Sequence, residues 1–453
     1  MAVTTRRHHQ APTVTESELS IWSEPDAGTV GHSLRPLIVS LLGTDAPVRV
    51  ELWDGSAFGP LDPIGTLVVR SPDALRRMLW APGEIGLSRA YVAGDLDVEG
   101  ELVGVLSALR AVPVRSSGTM ARALPSIVRA ARAVGALGRP LPPPPEEAHQ
   151  RGRRHSKERD AQAISHHYDV GNEFYELVLG PSMTYSCARF SRPEMTLAEA
   201  QADKHELICR KLGLHEPHLD HRVPRLLDVG CGWGSLAIHA ATHHGAFVVG
   251  ITISQEQAAR ARERVAEAGV ADQVEIRLQD YRDLGGEKFD AISSVGMFEH
   301  VGKARTAEYF AVLRELLHPQ GRLLNHAISS VQGSKLQRSS FTGRYVFPDG
   351  ELLDVADVCA AMELAGFEVR DVESLREHYA RTLREWVHNL ESSWDRATEI
   401  VGDGRARVWR LYMAGSAVGF DDGGVNLHQV LGVLPDPGGT SAMPATRDEW
   451  HTG

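Results

Sequence analysis

A glycine-rich turn near the middle of the chain offers the clearest chemistry. Residues 227–234 read LDVGCGWG, so that an apolar run ends in Gly230, Gly232 and Gly234 and leads into a helical segment. Glycine lets a backbone turn sharply and approach a ligand closely. The carboxyl ends of parallel strands are where doubly wound sheets bind ligands. The spacing is GxGxG and not the GxGxxG of dinucleotide sites. The turn alone predicts a ligand site and leaves the ligand open.

Two later segments narrow the choice of ligand. After the next apolar run, Thr252 stands where a dinucleotide site would carry an acidic residue for the ribose, and Ser254 is a suitable helix N-cap. After the third run, Asp280 can accept from an adenine amino group, and Tyr281 can pack on the ring. Each segment alone could be a capped turn. Three in order at successive strand ends predict a site for S-adenosylmethionine, SAM.

The elements that position these segments alternate between apolar runs and helical sequence from about residue 160 to 434. The runs that predict strands are 225–229, 246–251, 274–278, 289–295 and 321–326, and segments that predict helices include 254–268 and 305–317. Such alternation predicts an α/β fold with a parallel sheet and helices on both faces.

Other regions flank this α/β domain. The predicted regions are a disordered tail at 1–30, a small α+β domain at 34–110, an Ala/Arg/Pro-rich linker at 111–160, the α/β domain at 161–434 and a C-terminal tail at 435–453. In the small domain, 48–53 and 67–69 predict strands, and Pro72 suits the first turn of a helix. The basic run 151–159 is either a solvated linker or a strip that meets anionic phospholipid headgroups.

Composition excludes several classes of protein. The 453 residues suggest about two to three domains, and the net charge of −11 argues against a general nucleic-acid binder. We find no signal-peptide pattern and no run of about 18 apolar residues, so a lipid substrate would be met at a surface. The four cysteines form no CxxC pair, which argues against a zinc site or disulfide framework, predicts no bound metal and favours a reducing cytoplasm.

With these residues in view, the chain resembles the cyclopropane-fatty-acid synthase family, which includes the mycolic acid cyclopropane synthases. The resemblance covers about residues 160 to 434. The motifs that carry it are HHYDVGN at 166–172, MTYSCA at 183–188, the glycine turn, TISQEQ at 252–257, QDYRD at 279–283, SVGMFEHVG at 294–302 and YVFPDG at 345–350. The small domain looks like the lipid-facing domain of the bacterial phospholipid enzymes, most clearly in GLSRAY at 86–91.

The resemblance implies a Rossmann-like class I SAM methyltransferase and a set of site residues. The residues implied for SAM are Tyr185, Ser186, Asp228, Gly230, Gly232, Gly234, Thr252, Gln257, Asp280 and Tyr281. The family also holds a bicarbonate ion beside the SAM methyl group. The positions that match its bicarbonate site are Cys187, Glu299, His326, the backbone of Ile328, and Tyr379. Any one of these could be an ordinary core or strand-end residue, and the joint match carries the assignment.

The family's substrate is an unactivated cis alkene, and methyl transfer to it leaves a carbocation on the acyl chain. Aromatic faces stabilise cations, and Tyr168, Phe190, Trp233 and Tyr345 are candidates for that role. Bicarbonate is the implied general base. Many relatives carry a cysteine near the C-terminus where this chain has Ser416, so a mechanism that needs a nucleophilic cysteine there is disfavoured.

The product remains open between two outcomes. Loss of a proton straight from the new methyl group closes a cyclopropane, whereas a hydride shift before that loss gives an exocyclic methylene. The stretches 376–386 and 406–416 look most like the actinobacterial enzymes that make 10-methylene and then 10-methyl (tuberculostearic-type) chains, which favours the methylene. The implied partners are an unsaturated phospholipid at the inner face of the membrane, a flavin-dependent reductase and a second copy of the chain. A catalytically dead lipid-binding protein is a further alternative.

Overall fold

A computed structural model describes residues 23–42, 46–111, 128–147, 170–216, 223–331, 339–347 and 350–451. Two compact units make up the chain, one formed by Met1–Trp80 and Gly94–Leu141 and the other by Ala81–Ala93 and Pro142–Gly453. Among the described residues, no helix combines the length and the apolar character needed to cross a membrane.

The first 111 residues contain short helices and strands. In chain order they are α1 (Val30–Leu42), β1 (Val48–Leu52), β2 (Ala57–Phe58), β3 (Gly65–Val69), α2 (Pro72–Trp80), α3 (Glu84–Val92), β4 (Leu96–Gly100) and α4 (Leu102–Ala111). The strands form one sheet in the order β2-β1-β3-β4, in which only β1 and β3 are parallel. The predicted strands and the helix starting at Pro72 are confirmed, whereas α3 belongs by its contacts to the second unit.

The second unit contains the α/β domain. Its further elements are α5 (Asn172–Leu179), α6 (Leu197–Lys211), β5 (Arg225–Val229), α7 (Ser235–His244), β6 (Phe247–Thr252), α8 (Gln255–Glu267), β7 (Val274–Leu278), β8 (Phe289–Val295), α9 (Thr306–Glu315), β9 (Leu317–Ser330), α10 (Phe341–Tyr345), β10 (Leu353–Asp354), α11 (Val355–Leu364), β11 (Glu368–Ser374), α12 (Arg376–Ser392), α13 (Trp394–Val401), α14 (Asp403–Asp421), β12 (Asn426–Val433) and α15 (Asp448–His451).

The main sheet has the order β11-β12-β9-β8-β5-β6-β7, with β10 beside β9. Strands β5 to β9 are mutually parallel, and β12 runs antiparallel to both neighbours. The predicted parallel α/β sheet is confirmed, and all five predicted strands are present. The sequence analysis did not identify the antiparallel strand β12.

The sheet is buried on both faces because its strands are apolar on both sides. Leu226 and Leu227 are adjacent in β5 and lie in two different core clusters. One cluster contains residues of α6, α7 and α8, and the other contains residues of α9 and α11. Successive strand residues point to opposite faces, so the clusters are the two sides of a doubly wound sheet.

The proline-rich segment ends in a buried anchor. Glu147 is 6% exposed and accepts bonds from Arg89 Nε and Nη2 at 2.9 Å each, and from Arg344 Nη1 at 2.7 Å. Burial alone would raise the pKa of Glu147, but these hydrogen bonds lower it below its ordinary value. Residues 142–147, predicted to belong to the linker, group with the second unit. Glu147 thereby ties α3 and α10 to that unit.

The C-terminal segment is also packed. Trp450 in α15 is 2% exposed, and Arg447 Nε lies 3.1 Å from Asp371 Oδ1. Residues in the region predicted as a C-terminal tail therefore pack against the α/β domain.

Candidate active site

A pocket lies at the carboxyl ends of β5, β6 and β8. Nine of the ten residues that the sequence analysis assigned to SAM line it. These nine are Tyr185, Ser186, Asp228, Gly230, Gly232, Thr252, Gln257, Asp280 and Tyr281. Gly234 is not among the lining residues. The fold therefore brings together segments that are almost 100 residues apart in the chain.

The glycine turn owes its shape to left-handed backbone conformations. Gly230, Gly232 and Gly234 have φ of 79°, 55° and 80°, a region that side chains with a Cβ rarely adopt. A Cβ on Gly230 would lie 3.0 Å from the Cβ of Met297, which also lines the pocket. Gly234 instead caps the start of α7. Gly234 therefore contributes to the turn, whereas Gly230 and Gly232 line the pocket.

Asp228 lies near the end of β5, directly before the glycine turn, and is buried at the pocket. Its carboxylate accepts a bond from Ser293 Oγ at 2.8 Å. Burial raises the pKa of Asp228 to about 6, although the bond from Ser293 and the charge of Lys204 oppose that effect. A carboxyl group in this state can accept hydrogen bonds from a bound ligand or share a proton with it.

The segment after β6 forms the predicted capped turn. Ser254 is the N-cap of α8, and its Oγ accepts from Gln257 N at 3.2 Å. Thr252 Oγ1 donates to Gln257 Oε1 at 2.9 Å. The side chains of Thr252 and Gln257 are therefore held in place where they face the pocket, as expected for groups that recognise a polar ligand.

The segment after β7 supplies Asp280 and Tyr281. Asp280 already accepts bonds from Arg282, at 2.8 Å from Nε and 2.6 Å from Nη2. Tyr281 is 7% exposed and packs edge-on against Tyr309 with ring centroids 5.0 Å apart. The pair therefore presents a carboxylate held in place by an arginine and a rigidly packed ring.

A buried lysine beside these residues was missed by the sequence analysis. Lys204 is 1% exposed, lines the pocket and donates from Nζ to Ser186 Oγ at 2.9 Å. Burial lowers the pKa of Lys204 to about 7, against the opposing charges of Cys187 and Asp228. The sequence contains one indication that this lysine is buried. Lys204 falls on the apolar face of α6, four residues after Ala200 and four before Ile208.

The predicted bicarbonate residues include two buried polar atoms that lack a hydrogen-bond partner within the described part of the chain, Glu299 Oε2 and His326 Nε2. Glu299 Oε1 accepts from the backbone N–H of Ile328 at 2.7 Å. The loop that carries Glu299 is also bonded to β9 through Gly296 N and His326 O, at 2.9 Å. His326 and Ile328 lie two residues apart on one strand face, so the three predicted residues are joined through β9.

The electrostatics of this pair follow from burial. Burial raises the pKa of Glu299 to about 7 and lowers that of His326 well below its ordinary value. His326 Nδ1 lies 3.2 Å from the side-chain amide of Gln429, so one ring nitrogen is bonded and Nε2 is left to face a ligand. These residues therefore combine a neutral histidine with a carboxyl group whose pKa is near neutrality.

Cys187, in the segment before α6, and Tyr379, in the first turn of α12, both contact the carbonyl oxygen of Leu375. The thiol of Cys187 is fully buried, 3.6 Å from the carbonyl oxygen of Leu375, and burial raises its pKa far above the ordinary value. The backbone N–H of Tyr379 donates to the same carbonyl at 3.0 Å. Cys187 is therefore a neutral thiol at the site and not a thiolate nucleophile.

The charge of a pocket residue connects the pocket to the five residues predicted for bicarbonate, which are not among its lining residues. Lys204 interacts electrostatically with both Cys187 and His326. Burial raises the pKa of Tyr412 to about 12, against the opposing effects of Tyr185 and Ser416. Ser416, the residue that replaces the cysteine of many relatives, therefore lies near Tyr412.

The aromatic side chains near the site differ from the predicted set. Phe190 faces the Arg381 guanidinium at 3.9 Å, and Tyr345 donates to Glu147 at 3.3 Å. Trp233 lines the pocket as expected for a site residue, and Tyr168 lies outside the described residues. The sequence analysis missed Trp386, whose ring lies 5.3 Å from Tyr185 and 6.0 Å from Tyr379, and missed the buried Trp409 and Tyr412.

Comparison with known proteins agrees with this geometry. The family described as mycolic acid cyclopropane synthetase matches residues 155–430. A probable fatty acid methyltransferase of Mycobacterium tuberculosis is 43% identical over 412 residues, covering 88% of this chain and 93% of that protein. The tuberculostearic acid methyltransferase of the same organism is 34% identical over 399 residues, covering 85% and 87%.

The fold agrees as well. The crystal structure of the mycolic acid cyclopropane synthase CmaA1, complexed with SAH and CTAB, matches with a TM-score of 0.56 and 32% identity, over 60% of this chain and 98% of that chain. SAH is the demethylated form of SAM, and the strand order around the present pocket is that of class I SAM methyltransferases. The chain therefore belongs to the cyclopropane synthase family and is a SAM-dependent methyltransferase.

Proposed function

We propose that this enzyme transfers a methyl group from SAM to the cis double bond of an unsaturated phospholipid acyl chain and releases a 10-methylene chain. The observation that carries the proposal is a pair of buried atoms, Glu299 Oε2 and His326 Nε2, that have no hydrogen-bond partner among the described residues, in a domain whose pocket is lined by Tyr185 and Ser186. Buried polar groups are normally satisfied, so the pair is best explained by a small polar ligand.

Bicarbonate fits that requirement. Its oxygens can accept from the N–H at His326 Nε2, and its hydroxyl can donate to Glu299 Oε2. The side chains of Cys187 and Tyr379 would also contact the ion. The backbone N–H of Ile328 would donate to it if Glu299 no longer accepted a hydrogen bond from that N–H. When bound beside the SAM methyl group, the ion supplies a base that takes a proton from the methylated chain.

The chain's own residues supply the environment for the reaction. Tyr185, Trp386 and Tyr379 form a sequence of ring contacts, and their faces can stabilise positive charge on the acyl chain. All three rings are largely buried, which keeps water from the cation. Glu299 and His326 hold the proton acceptor in place, so that their contribution is mainly positioning.

The product depends on whether a hydride shift precedes the loss of a proton. A methyl group bonds to one alkene carbon, which leaves a cation on the other. If a hydride first moves to that carbon, loss of a proton from the new methyl group gives C=CH₂. If the proton leaves without the hydride shift, the ring closes. One relative supports the methylene, because it is named a tuberculostearic acid methyltransferase, whereas the name of the probable fatty acid methyltransferase fits either product.

A cyclopropane product is the second candidate, because solved relatives such as CmaA1 are named cyclopropane synthases. The two products have the same mass, so mass spectrometry of the intact lipid does not separate them. Proton NMR does. Purified enzyme, SAM and an oleoyl phospholipid should give vinylic signals from an exocyclic methylene. Upfield ring signals without vinylic signals would overturn the methylene proposal and leave the methyltransferase assignment in place.

The proposal includes partners and a location. A flavin-dependent reductase would convert the methylene chain to a 10-methyl chain, and adding such a reductase with its electron donor should replace the vinylic signals with a methyl doublet. The enzyme would work as a homodimer in the cytoplasm, at the inner face of the membrane. SAM binding without methyl transfer to any unsaturated phospholipid would instead favour a lipid-binding protein on an inactive fold.

Contact with the membrane is assigned to the basic run 151–159, which lies outside the described residues. Each basic residue near an anionic surface contributes about 1 kcal/mol at most, and salt screens it. Binding to anionic vesicles should therefore weaken with added salt and with neutralisation of Arg151, Arg153 and Arg154. Vesicle binding that ignores both changes would leave the run as a solvated linker.

A further inference from the structure

Helices α6 and α7 carry a cluster of side chains that could bind a metal ion. Cys209, His239 and His244 each offer one ligand atom, and these atoms lie within 4.8 Å of one another. Cys209 is fully buried, and the imidazoles of His239 and His244 are 12% and 7% exposed. A thiol and two imidazoles are the donors that zinc prefers.

A carboxylate contacts the two histidines of this cluster. Glu206 Oε2 lies 3.2 Å from His239 Nε2 and 2.9 Å from His244 Nε2, so both imidazoles face one oxygen. Arg210 Nε holds the other carboxylate oxygen at 2.6 Å. In a tetrahedral site with metal–ligand bonds of about 2.0–2.1 Å, neighbouring N and O ligands are about 3.3 Å apart. The two observed distances are within a few tenths of an ångström of that spacing.

We propose that Cys209, His239, His244 and Glu206 form a structural zinc site that links α6 to α7. Four protein ligands leave no open coordination position, which is the mark of a structural site and not a catalytic one. The absence of a CxxC pair does not exclude this site, because the site uses a single cysteine with two histidines from the next helix.

The donor types suit a divalent metal. A neutral imidazole offers a lone pair to a metal, and zinc would displace the proton of the Cys209 thiol to form a thiolate. One thiolate and one carboxylate then balance the charge of Zn²⁺, which lowers the cost of burying the ion.

The site lies next to the cofactor pocket. Helix α6 also carries Lys204 and His205, and α7 carries Ser235, all of which line that pocket. The rings of His205 and His239 are 5.6 Å apart. A zinc ion would therefore fix the two helices that form one side of the SAM pocket, whatever acyl substrate the enzyme takes.

The test uses the full-length chain without a histidine tag. Protein dialysed with a small excess of Zn²⁺ and then against buffer should retain about one zinc per chain by elemental analysis. Replacing Zn²⁺ with Co²⁺ should give a thiolate-to-cobalt charge-transfer band and the visible bands of tetrahedral cobalt. Loss of an outer-shell partner already costs about 10–100-fold in metal affinity. Cys209→Ser, His239→Gln, His244→Gln and Glu206→Gln should therefore each lower zinc affinity by more than about 100-fold.

Two matched controls keep the test specific. His243→Gln changes an exposed histidine whose ring lies 4.4 Å from that of His239, and Cys359→Ser removes a thiol outside the cluster. Both should retain zinc and the cobalt spectrum. Circular dichroism and SAM binding check folding, and His244, whose side chain is 7% exposed, offers a safer variant than the fully buried Cys209. Substoichiometric zinc in the wild type, cobalt binding without the thiolate band, or equal affinity in the wild type and folded His244→Gln would overturn the proposal.

Discussion

Replacing Gly230 with alanine should weaken SAM binding more than it weakens the fold. The residue has φ of 79°, and a non-glycine residue in that region costs about 1–2 kcal/mol. The new Cβ would lie 3.0 Å from Met297 Cβ and 3.1 Å from its Cγ, and overpacking of this kind costs about 1–3 kcal/mol. Because both residues line the pocket, relief of the contact would take space from the cofactor. The expected loss of SAM affinity is roughly 5- to 150-fold, measured by titration calorimetry.

Gly234→Ala is the matched control. Its φ is 80°, its Cβ would make an ordinary 3.4 Å contact with Ala261, and Gly234 does not line the pocket. Both variants should therefore lose about 1–2 kcal/mol of unfolding free energy in urea, and only Gly230→Ala should lose SAM affinity. Unchanged affinity in folded Gly230→Ala, or an equal loss in Gly234→Ala, would refute the assignment of Gly230 to the cofactor.

Three further predictions follow from buried carboxyl groups. Glu299→Gln should keep its SAM affinity but lose turnover by about 100-fold or more, and wild-type turnover would remove Glu299 from the mechanism. Because burial raises the pKa of Glu299 to about 7, its contribution to stability is present below pH 4.5 and lost as the pH rises to 7. The unfolding free energy of the wild type should therefore fall by about 2–3 kcal/mol relative to Glu299→Gln between pH 5 and 8, and parallel pH curves would contradict this. Glu147→Ala leaves Arg89 and Arg344 without their acceptor and should cost about 2–4 kcal/mol by urea unfolding, whereas Glu146→Ala should cost under about 0.5 kcal/mol; equal losses would show that the anchor contributes nothing.

Much of the α/β domain could be predicted from the sequence. The strands at 225–229, 274–278 and 289–295 have the predicted bounds, because each is a short apolar run bounded by turn residues. Ser254 caps α8 as expected, since a cap depends on neighbours three residues away. The glycine turn was recognised for the same reason: its backbone angles are set locally by residues without a Cβ.

Side chains that meet across the fold were harder to predict. Lys204, Trp386 and Tyr412 belong to the walls of the site but sit in helices with no motif of their own. Only their burial against Ser186 and Tyr185 distinguishes them from ordinary helical residues. The predicted aromatic residues Phe190 and Tyr345 have partners elsewhere, because an aromatic residue near a motif in sequence is free to face another neighbour in space.

The amino-acid sequence by itself therefore determined the family, the order of the parallel strands along the chain and nine of the residues that line the pocket. The family, the strand order and these residues were predicted from patterns of neighbouring residues. The spacing within each pattern reflects strand periodicity and turn geometry. Only the tertiary structure decided that Glu299 Oε2 and His326 Nε2 are both buried with no partner in the described ranges of the chain, and that Cys209, His239 and His244 converge. Such arrangements arise where separate elements pack, and packing distance is not encoded in the spacing of residues along the chain.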